Sequence, residues 1–202
     1  NDANIPVIYG ERMIGGTRVF METSGTDNTY LYMAIIISEG EINDIEEIRV
    51  DDKAVTWASA LSDGTEVEVG SGDSNFYKDS ESLIRVEPHY GTDGQSASSI
   101  LSTLSSWGSN HKLSGLCYIA FRITWDNDKY TGIPNIQAVV QGKKVVAYNS
   151  SSQAQTAAFS TNPAFCLLDY LTDTRYGKGI SNDAFETNYD SFKTSANTCE
   201  TQ

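Results

Sequence analysis

The hydrophobic period of this 202-residue chain changes once, and the change sets what it can fold into. Up to about residue 147, apolar residues come in alternation or in short β-branched runs. From Asn162 onward they recur at steps of three and four. A period of two lines one face of a strand and a period near 3.6 lines one face of a helix, so the pattern predicts an α+β chain: a β-rich body followed by a C-terminal helical pair.

Within the first part, residues 5–10 and 14–20 read as two β-rich segments joined by a Gly-punctuated bend. Strands are expected over 29–38 and 45–50, with 54–57 returning beyond the Asp51-Asp52-Lys53 turn as a hairpin partner. Residues 62–82 are rich in Gly, Ser and Asp and read as an exposed loop or hairpin tip, with strand-like alternation only over 66–69. A strand follows over 83–90, then a short amphipathic helix over 97–107 with Ile100, Leu101, Leu104 and Trp107 at helical spacing. The strongest strand, expected to be central, covers 116–125. The run 135–147 is split by Gln141-Gly142-Lys143-Lys144 and reads as a hairpin.

The later part begins with a Ser/Thr/Ala/Gln linker over 149–161. Asn162 is placed to cap a helix that Pro163 starts; Phe165, Leu168 and Leu171 face inward, Arg175-Tyr176-Gly177 ends it with Arg175 near its negative end, and Gly177 and Gly179 close it. Phe185, Tyr189, Phe192, Ala196 and Cys199 make one apolar stripe on a second helix. The expected organisation is therefore a body over 1–148 with an acidic variable loop at 62–82, a linker over 149–161 and a helical segment over 162–202.

With 39% apolar and 10% aromatic residues the chain can bury a core despite a formal charge of −13. The excess is confined to residues 1–100, which hold 6 basic and 19 acidic residues against 8 and 8 in the remainder. An acidic surface repels phosphate backbones and the basic residues are scattered, so nucleic acid is not an expected partner. The longest aliphatic stretch, 33–37, falls far short of the roughly 20 residues of a membrane helix. The chain opens on Asn1 without Met and ends on Thr201-Gln202 without punctuation, which suggests a fragment continuing into missing sequence. Cys117, Cys166 and Cys199 offer neither a pairing framework nor close ligand pairs with His89 and His111; each lies on an apolar stretch, and a reduced, intracellularly made protein is expected.

Candidate chemistry is thin. Gly72-Asp73-Ser74 lacks the glycine that follows a protease nucleophile, and both histidines come after it in the chain. Glu39, Glu41, Glu46 and Glu47 could supply paired carboxylates for glycosidic hydrolysis, but Glu46 and Glu47 point to opposite faces of a strand, and a solvated edge is the simpler account. Asp63-Gly64 and Asp126-Asn127-Asp128 imitate a calcium loop without its twelve-residue pattern or closing Glu, and Gly70-Ser71-Gly72 lacks the helix and lysine of a phosphate loop. No catalytic residue, metal or cofactor is expected. The 11 tyrosines suit either an adhesive surface or ordinary packing.

Several stretches together resemble one family: Ile5-Pro6-Val7-Ile8-Tyr9-Gly10 with Ile14-Gly15-Gly16-Thr17-Arg18-Val19-Phe20, Glu39-Gly40-Glu41-Ile42, the run from His89 to Gln95, Leu113-Ser114-Gly115-Leu116, Gly132-Ile133-Pro134-Asn135-Ile136, Gln141-Gly142-Lys143-Lys144-Val145, and above all the run from Asn162 to Ile180 with Asp169, Tyr170, Arg175, Tyr176, Gly177 and Gly179. These resemble the central tail-hub proteins of long-tailed bacteriophages, the family of tail tip attachment protein J, or host specificity protein. The match runs across nearly the whole chain in the family's order; the 62–82 loop is its departure and fits a variable insertion. The resemblance implies an internal portion of a hub built on β-barrel domains with an inserted region. It implies a homotrimer that closes the tail tube in the virion, assembled in the host cytoplasm. Partners would be the distal tail, tape measure and tail tip proteins, with a host receptor reached through other regions. The family-motif residues Gly15, Gly16, Pro134, Asn135, Asn162, Pro163, Asp169, Tyr170, Arg175, Tyr176, Gly177 and Gly179 are then structural. The competing expectations are a tail-associated cell-wall hydrolase, with Glu39 or Glu41 in a cleft beside a second carboxylate, and a receptor-binding surface using residues 62–82.

Overall fold

The computed structural model describes residues 4–147, 154–185 and 189–200. Among the described residues eleven strands and two α-helices follow one another in the order the period change predicts, giving an α+β, β-rich fold with two C-terminal helices. Glu11–Ile14 (β1), Asp44–Val50 (β4), Lys53–Ala54 (β5) and Ile136–Gln141 (β11) form a sheet in the order β1-β11-β4-β5. Thr17–Ser24 (β2), Tyr30–Glu39 (β3), Val67–Glu68 (β6), Ile84–Tyr90 (β9) and Leu116–Thr124 (β10) form a second, in the order β2-β3-β10-β9-β6. Tyr77–Lys78 (β7) and Glu81–Ser82 (β8) make a small hairpin. Every named pairing is antiparallel.

One core lies between the two large sheets. From the first sheet come Ile45, Ile48, Val50, Ala138 and Val140; from the second, Met33, Ile35, Ile119, Phe121 and Ile84. The strand at 116–124 is central, as its near-continuous apolar run predicts, because both of its faces are covered. Its outer face, with Tyr32, Ala34, Ile36, Tyr118 and Ala120, is roofed by Ile100, Leu101, Leu104 and Trp107.

The chain passes from one sheet to the other at glycines. Strands β1 and β2 are one bent ribbon that leaves the first sheet and joins the second at Gly15-Gly16. A Cβ at Gly16 would overlap the Ile36 carbonyl oxygen and the Ile35 side chain, so only glycine lets the ribbon cross so close to β3. Gly15 faces the Ile136 carbonyl, next to the buried Pro134. Asn135 closes the neighbouring turn, its N–H donating to Asp51 Oδ1 at 2.8 Å while its carbonyl accepts from the Asp51 N–H.

Several expectations are corrected. Residues 5–10 form no ladder strand; they run extended, with the Pro6 and Ile8 carbonyls accepting from Glu39 and Lys143 N–H groups. Residues 97–107 do not form an α-helix. Only the single 3-10 turn Leu101–Thr103 is helical, because Ser98 and Ser99 hydroxyls are drawn to the buried Glu87 carboxylate, and helical spacing of apolar residues served a wrapped loop equally well. The 62–82 segment is not simply exposed: Val67, Val69 and Phe76 belong to the main core, and only the Asp79-Ser80 tip, with positive φ at both residues, fits the reading of a hairpin tip. Residues 135–147 form one strand and no hairpin. Beyond β11 the chain bonds to 8–10, and Val145 bridges Ala158, so part of the expected linker is tied to the body; residues 149–153 of it lie outside the described residues.

Candidate functional site

Helix α1, Pro163–Thr172, starts as its sequence predicts. The Asn162 side chain accepts from the Ala164 N–H at 3.1 Å, and its amide donates to the Ala196 carbonyl at 3.0 Å, so one residue caps α1 and ties it to α2, Tyr189–Glu200. Ala164, Phe165 and Leu168 are buried, while Leu171 is half-buried. Of the expected stripe on α2, Ala196 is buried and the Phe185 and Phe192 rings meet edge to face at 5.6 Å; the Tyr189 side chain lies outside the described residues. Cys199 is exposed, contrary to expectation, because the stripe ends before the last turn; Cys117 is fully buried and Cys166 half-buried, and all three are free thiols.

The end of α1 is where the most specific motif gathers. Asp173 is the C-cap, its Oδ1 accepting from the Arg175 and Tyr176 N–H groups at 2.8 and 3.0 Å. The next turn folds back, with the Lys178 N–H donating to the Tyr170 carbonyl and the Gly179 N–H to the Asp173 carbonyl. A Cβ at Gly177 would overlap both the Tyr170 and Asp173 carbonyl oxygens, which is why glycine stands there; Gly179 has φ +62°. The expected role of Arg175 is corrected: it lies beyond the helix and reaches Glu39 of the body, Nε to Oε1 at 3.2 Å. Tyr170 is exposed on the outer face, with Lys178 Nζ 5.9 Å from its ring.

Body and helix meet around Lys143. Its ammonium donates to Asp169 and Asp173 at 2.6 Å each, its side chain only 19% exposed, and it stands 5.1 Å from the Tyr176 ring. The Tyr9 hydroxyl donates to the same Asp169 oxygen at 2.6 Å. Gly40, with φ +81°, offers the open space where Tyr176 Oη sits against the body. Burial alone would lower the Lys143 pKa, but its two carboxylate partners outweigh burial and raise it. Burial would raise the Asp173 pKa; Lys143 and the two backbone donors bring it below the ordinary value. Burial, then the bond to Asp169, pushes the Tyr9 hydroxyl up. The arrangement can hold a helix against a sheet edge.

The motif residues therefore fall in two groups at opposite ends of the β1–β11 ladder. Gly15, Gly16, Pro134 and Asn135 shape one end; Asn162, Pro163, Asp169, Tyr170, Arg175, Tyr176, Gly177 and Gly179 build the docked helix at the other. Sequence reasoning missed Lys143 and Tyr9 as docking residues. The available signal was Gly142, where a Cβ would overlap the Ile8 carbonyl and which marks a close crossing, not a hairpin turn.

The other candidates resolve as structure. Glu39 faces Arg175 and Glu41 faces Lys144 at 3.3 Å, each carboxylate opposite a cation. Asp126 and Asp128 bind Lys78 at 2.7 and 2.9 Å. Asp73 is buried and organises its turn by accepting from the Thr56, Asn75 and Phe76 N–H groups. Among the described residues no group of three His, Cys, Asp or Glu side chains could hold a metal ion, and no helix is long and apolar enough to cross a membrane. Tyr32, Tyr118 and Tyr130 are core residues.

No family model matches the chain. It is 29% identical over 220 residues to baseplate hub protein pb3 of Escherichia phage T5, an alignment covering 90% of this chain and 23% of that protein, so the chain spans about a quarter of its relative's length. Among solved structures, a chain of the virion of a native gene transfer agent particle is similar at a TM-score of 0.47 and 14% identity, over 70% of this chain and 27% of that one. Homology to a baseplate hub protein supports a structural component of a phage tail, located in the virion.

Proposed function

We propose that this chain is a segment of the central tail hub, of the tail tip attachment protein J type, that contributes to a trimeric ring closing the tail tube and links it to the host-contacting tip. The observation that carries the reading is the homology to a baseplate hub protein along 90% of the chain. The role is mechanical and no reaction is assigned. Residues 1–148 serve as the hub domain, 149–161 as a connection and 162–202 as a helical segment docked on it, with the motif residues at 15–16, 134–135 and 162–179 shaping both ends of one ladder. Partners are other copies of the chain and the distal tail, tape measure and tail tip proteins, met during assembly in the host cytoplasm; a host receptor is engaged through other regions.

The test is solution mass by light scattering, on this chain and on the longer protein that carries it. A trimer in the longer protein, with no peptidoglycan cleavage by either, is the expected result. A monomer in both, or turnover of peptidoglycan, overturns the reading.

A further inference from the structure

At one end of the body the second sheet runs past the first. Leu31 and Met33 of β3 face the inter-sheet core, and Thr23 and Met21, opposite them on β2, share that face, yet Met21 is 46% exposed. Three connections converge there: the 25–29 turn between β2 and β3, the chain leaving β10 at Trp125, and Ile133 ahead of β11. Between them lies a cleft of about 330 Å³, at the small end of the range of ligand sites. Loops gathered on rigid strands are where binding groups are usually carried.

Part of the lining is apolar and fixed. Met21, Trp125 and Ile133 are exposed, and the buried Leu31 lies among them. The indole of Trp125 is held at three points. Its ring N–H donates to Asn127 Oδ1 at 2.8 Å, its backbone N–H donates to the Thr29 carbonyl at 2.8 Å, and its ring stands 5.6 Å from that of the buried Tyr130. An aromatic face already ordered in this way loses little freedom when a ligand meets it.

The rest of the lining is polar, and it comes from the turn. Asp27 and Asn28 have φ of 55° and 57°, a conformation that Asp and Asn adopt more readily than other side-chain-bearing residues. The turn is closed by the Asn28 N–H on the Gly25 carbonyl and the Thr29 N–H on the Thr26 carbonyl, at 3.3 and 3.2 Å. The Thr23 hydroxyl donates to Asn28 Oδ1 at 2.9 Å, which orients the amide. Among the described residues neither the Asn28 amide nitrogen nor the Asp27 carboxylate has a hydrogen-bond or ion-pair partner.

These groups select among ligands. With a carboxylate and no cation in the lining, on a chain of net −13, an anion is repelled. A wholly apolar ligand would take water from Asp27 and Asn28 and return no hydrogen bond. One aromatic ring is not the cage that a quaternary ammonium ion takes. A hexopyranose matches both parts of the lining. Its C–H groups turn partial positive charge to the negative face of an indole, and its hydroxyls donate to a carboxylate and accept from an amide. We propose that this cleft binds a neutral hexopyranose unit, with a C–H face on Trp125 and adjacent hydroxyls on Asp27 and Asn28. The site adds a ligand contact to the mechanical role and does not depend on the ring.

The experiment is saturation-transfer NMR on the full-length protein with methyl β-D-galactopyranoside and methyl β-D-glucopyranoside, and with choline and cyclohexanemethanol as comparison probes. A ligand of about 13 non-hydrogen atoms, at the efficiency ordinary for small molecules, should bind with a Kd of about 1 mM. Transfer should be strongest to the C–H protons of one ring face. Trp125→Ala should weaken binding about tenfold, with Trp125→Phe between it and the wild type. Asp27→Asn, at an exposed position, should weaken it about tenfold with the melting temperature unchanged, and it keeps the test decisive if Trp125→Ala disturbs the end of the sheet. No transfer to either glycoside at about twenty times the expected Kd overturns the proposal while the hub reading stands. Equal transfer to cyclohexanemethanol overturns it in favour of a bare apolar surface, and transfer to choline alone in favour of a cation site. Glycoside binding undiminished in both Trp125→Ala and Asp27→Asn places the sugar elsewhere and overturns this cleft as its site.

Discussion

The β body and the docked helices bury very different amounts of apolar surface, and they are held in place differently. Among the described residues the body encloses 24 buried residues in its main cluster and nine more in the cluster that the 97–107 wrap makes with the outer face of the second sheet. The helices share a cluster of four, Val145, Ala164, Phe165 and Ala196, with Tyr9 and Ala147 packed against it. What fixes the helices beyond that cluster is polar: Lys143 between two aspartates, Tyr9 on Asp169, Arg175 on Glu39. Apolar burial is non-directional and scales with area, whereas a charged cluster specifies one geometry and contributes little net area. The difference implies that the helices can open while the body stays folded.

The largest effect is expected from the body core. Phe121→Ala removes a fully buried ring from the central strand and should cost about 3–5 kcal/mol, lowering the melting temperature of the whole molecule. Phe165→Ala, in the four-residue cluster, should instead raise hydrogen exchange in α1 and α2 while the transition of the body stays in place. If both variants shifted one common transition, the two regions would be a single cooperative unit and the comparison would fail.

Next is the ion cluster. Lys143→Met keeps the aliphatic stem but leaves the Asp169 and Asp173 carboxylates, 18% and 15% exposed, without their cation. Removing one partner of a largely buried charge cluster should cost about 2–3 kcal/mol of docking. Exchange at α1 amides should rise about thirtyfold or more with no change in β10, and equal protection in the variant would show that the apolar cluster alone holds the helix.

How much of this the residues disclose on their own follows from the range of the forces involved. Strands with a strong local signal, such as 30–39, 44–50 and 116–124, are legible because alternation or a β-branched run is decided within the segment. The cap at Asn162 is legible for the same reason, since donor and acceptor are two residues apart. The wrap at 97–107 is not, because what overrides its helical spacing is a carboxylate on another strand. Lys143 reads locally as part of a Gly-Lys-Lys turn, and its partners stand 26 and 30 residues away. Long-range polar pairing carries no period, so the docking site stays hidden while the helix it holds is plain.

Acid should separate the two regions by where each begins to lose stability. Burial raises the Glu87 pKa, but the His89 imidazole 3.4 Å away, the Ser98 and Ser99 hydroxyls and the Ile100 N–H outweigh it and hold the carboxyl at about 2 against an ordinary 4.5. A depressed carboxyl contributes stability above its unfolded value and loses it as pH falls toward its folded value. The body should therefore weaken between pH 4.5 and about 2, by roughly 3 kcal/mol from this group. Asp173 is likewise depressed, from 3.8, so its contribution to docking is lost only below that pH. Melting curves from pH 7 to 2 should show the body responding first, and Glu87→Gln should flatten that limb while leaving the response of the helices; an unchanged limb would mean that Glu87 is not the group sensing acid.

The smallest effect is expected at the residue most visible in the motif. Arg175 and Glu39 are 52% and 33% exposed, so their pair, at 3.2 Å, is screened by water and salt. The Arg175 guanidinium lies 5.6 Å from the Tyr176 ring, a contact of comparable size at an exposed site. Its backbone N–H, which caps Asp173, survives truncation. Arg175→Ala should then cost about 0.5 kcal/mol of docking, less in 1 M salt, read as a small rise in α1 exchange beside the large one in Lys143→Met. A loss as large as that of Lys143→Met would move the weight of docking from the half-buried cluster to the exposed rim. Polar geometry would then hold the helices almost independently of burial, and the contrast with the body would be sharper than the packing alone implies.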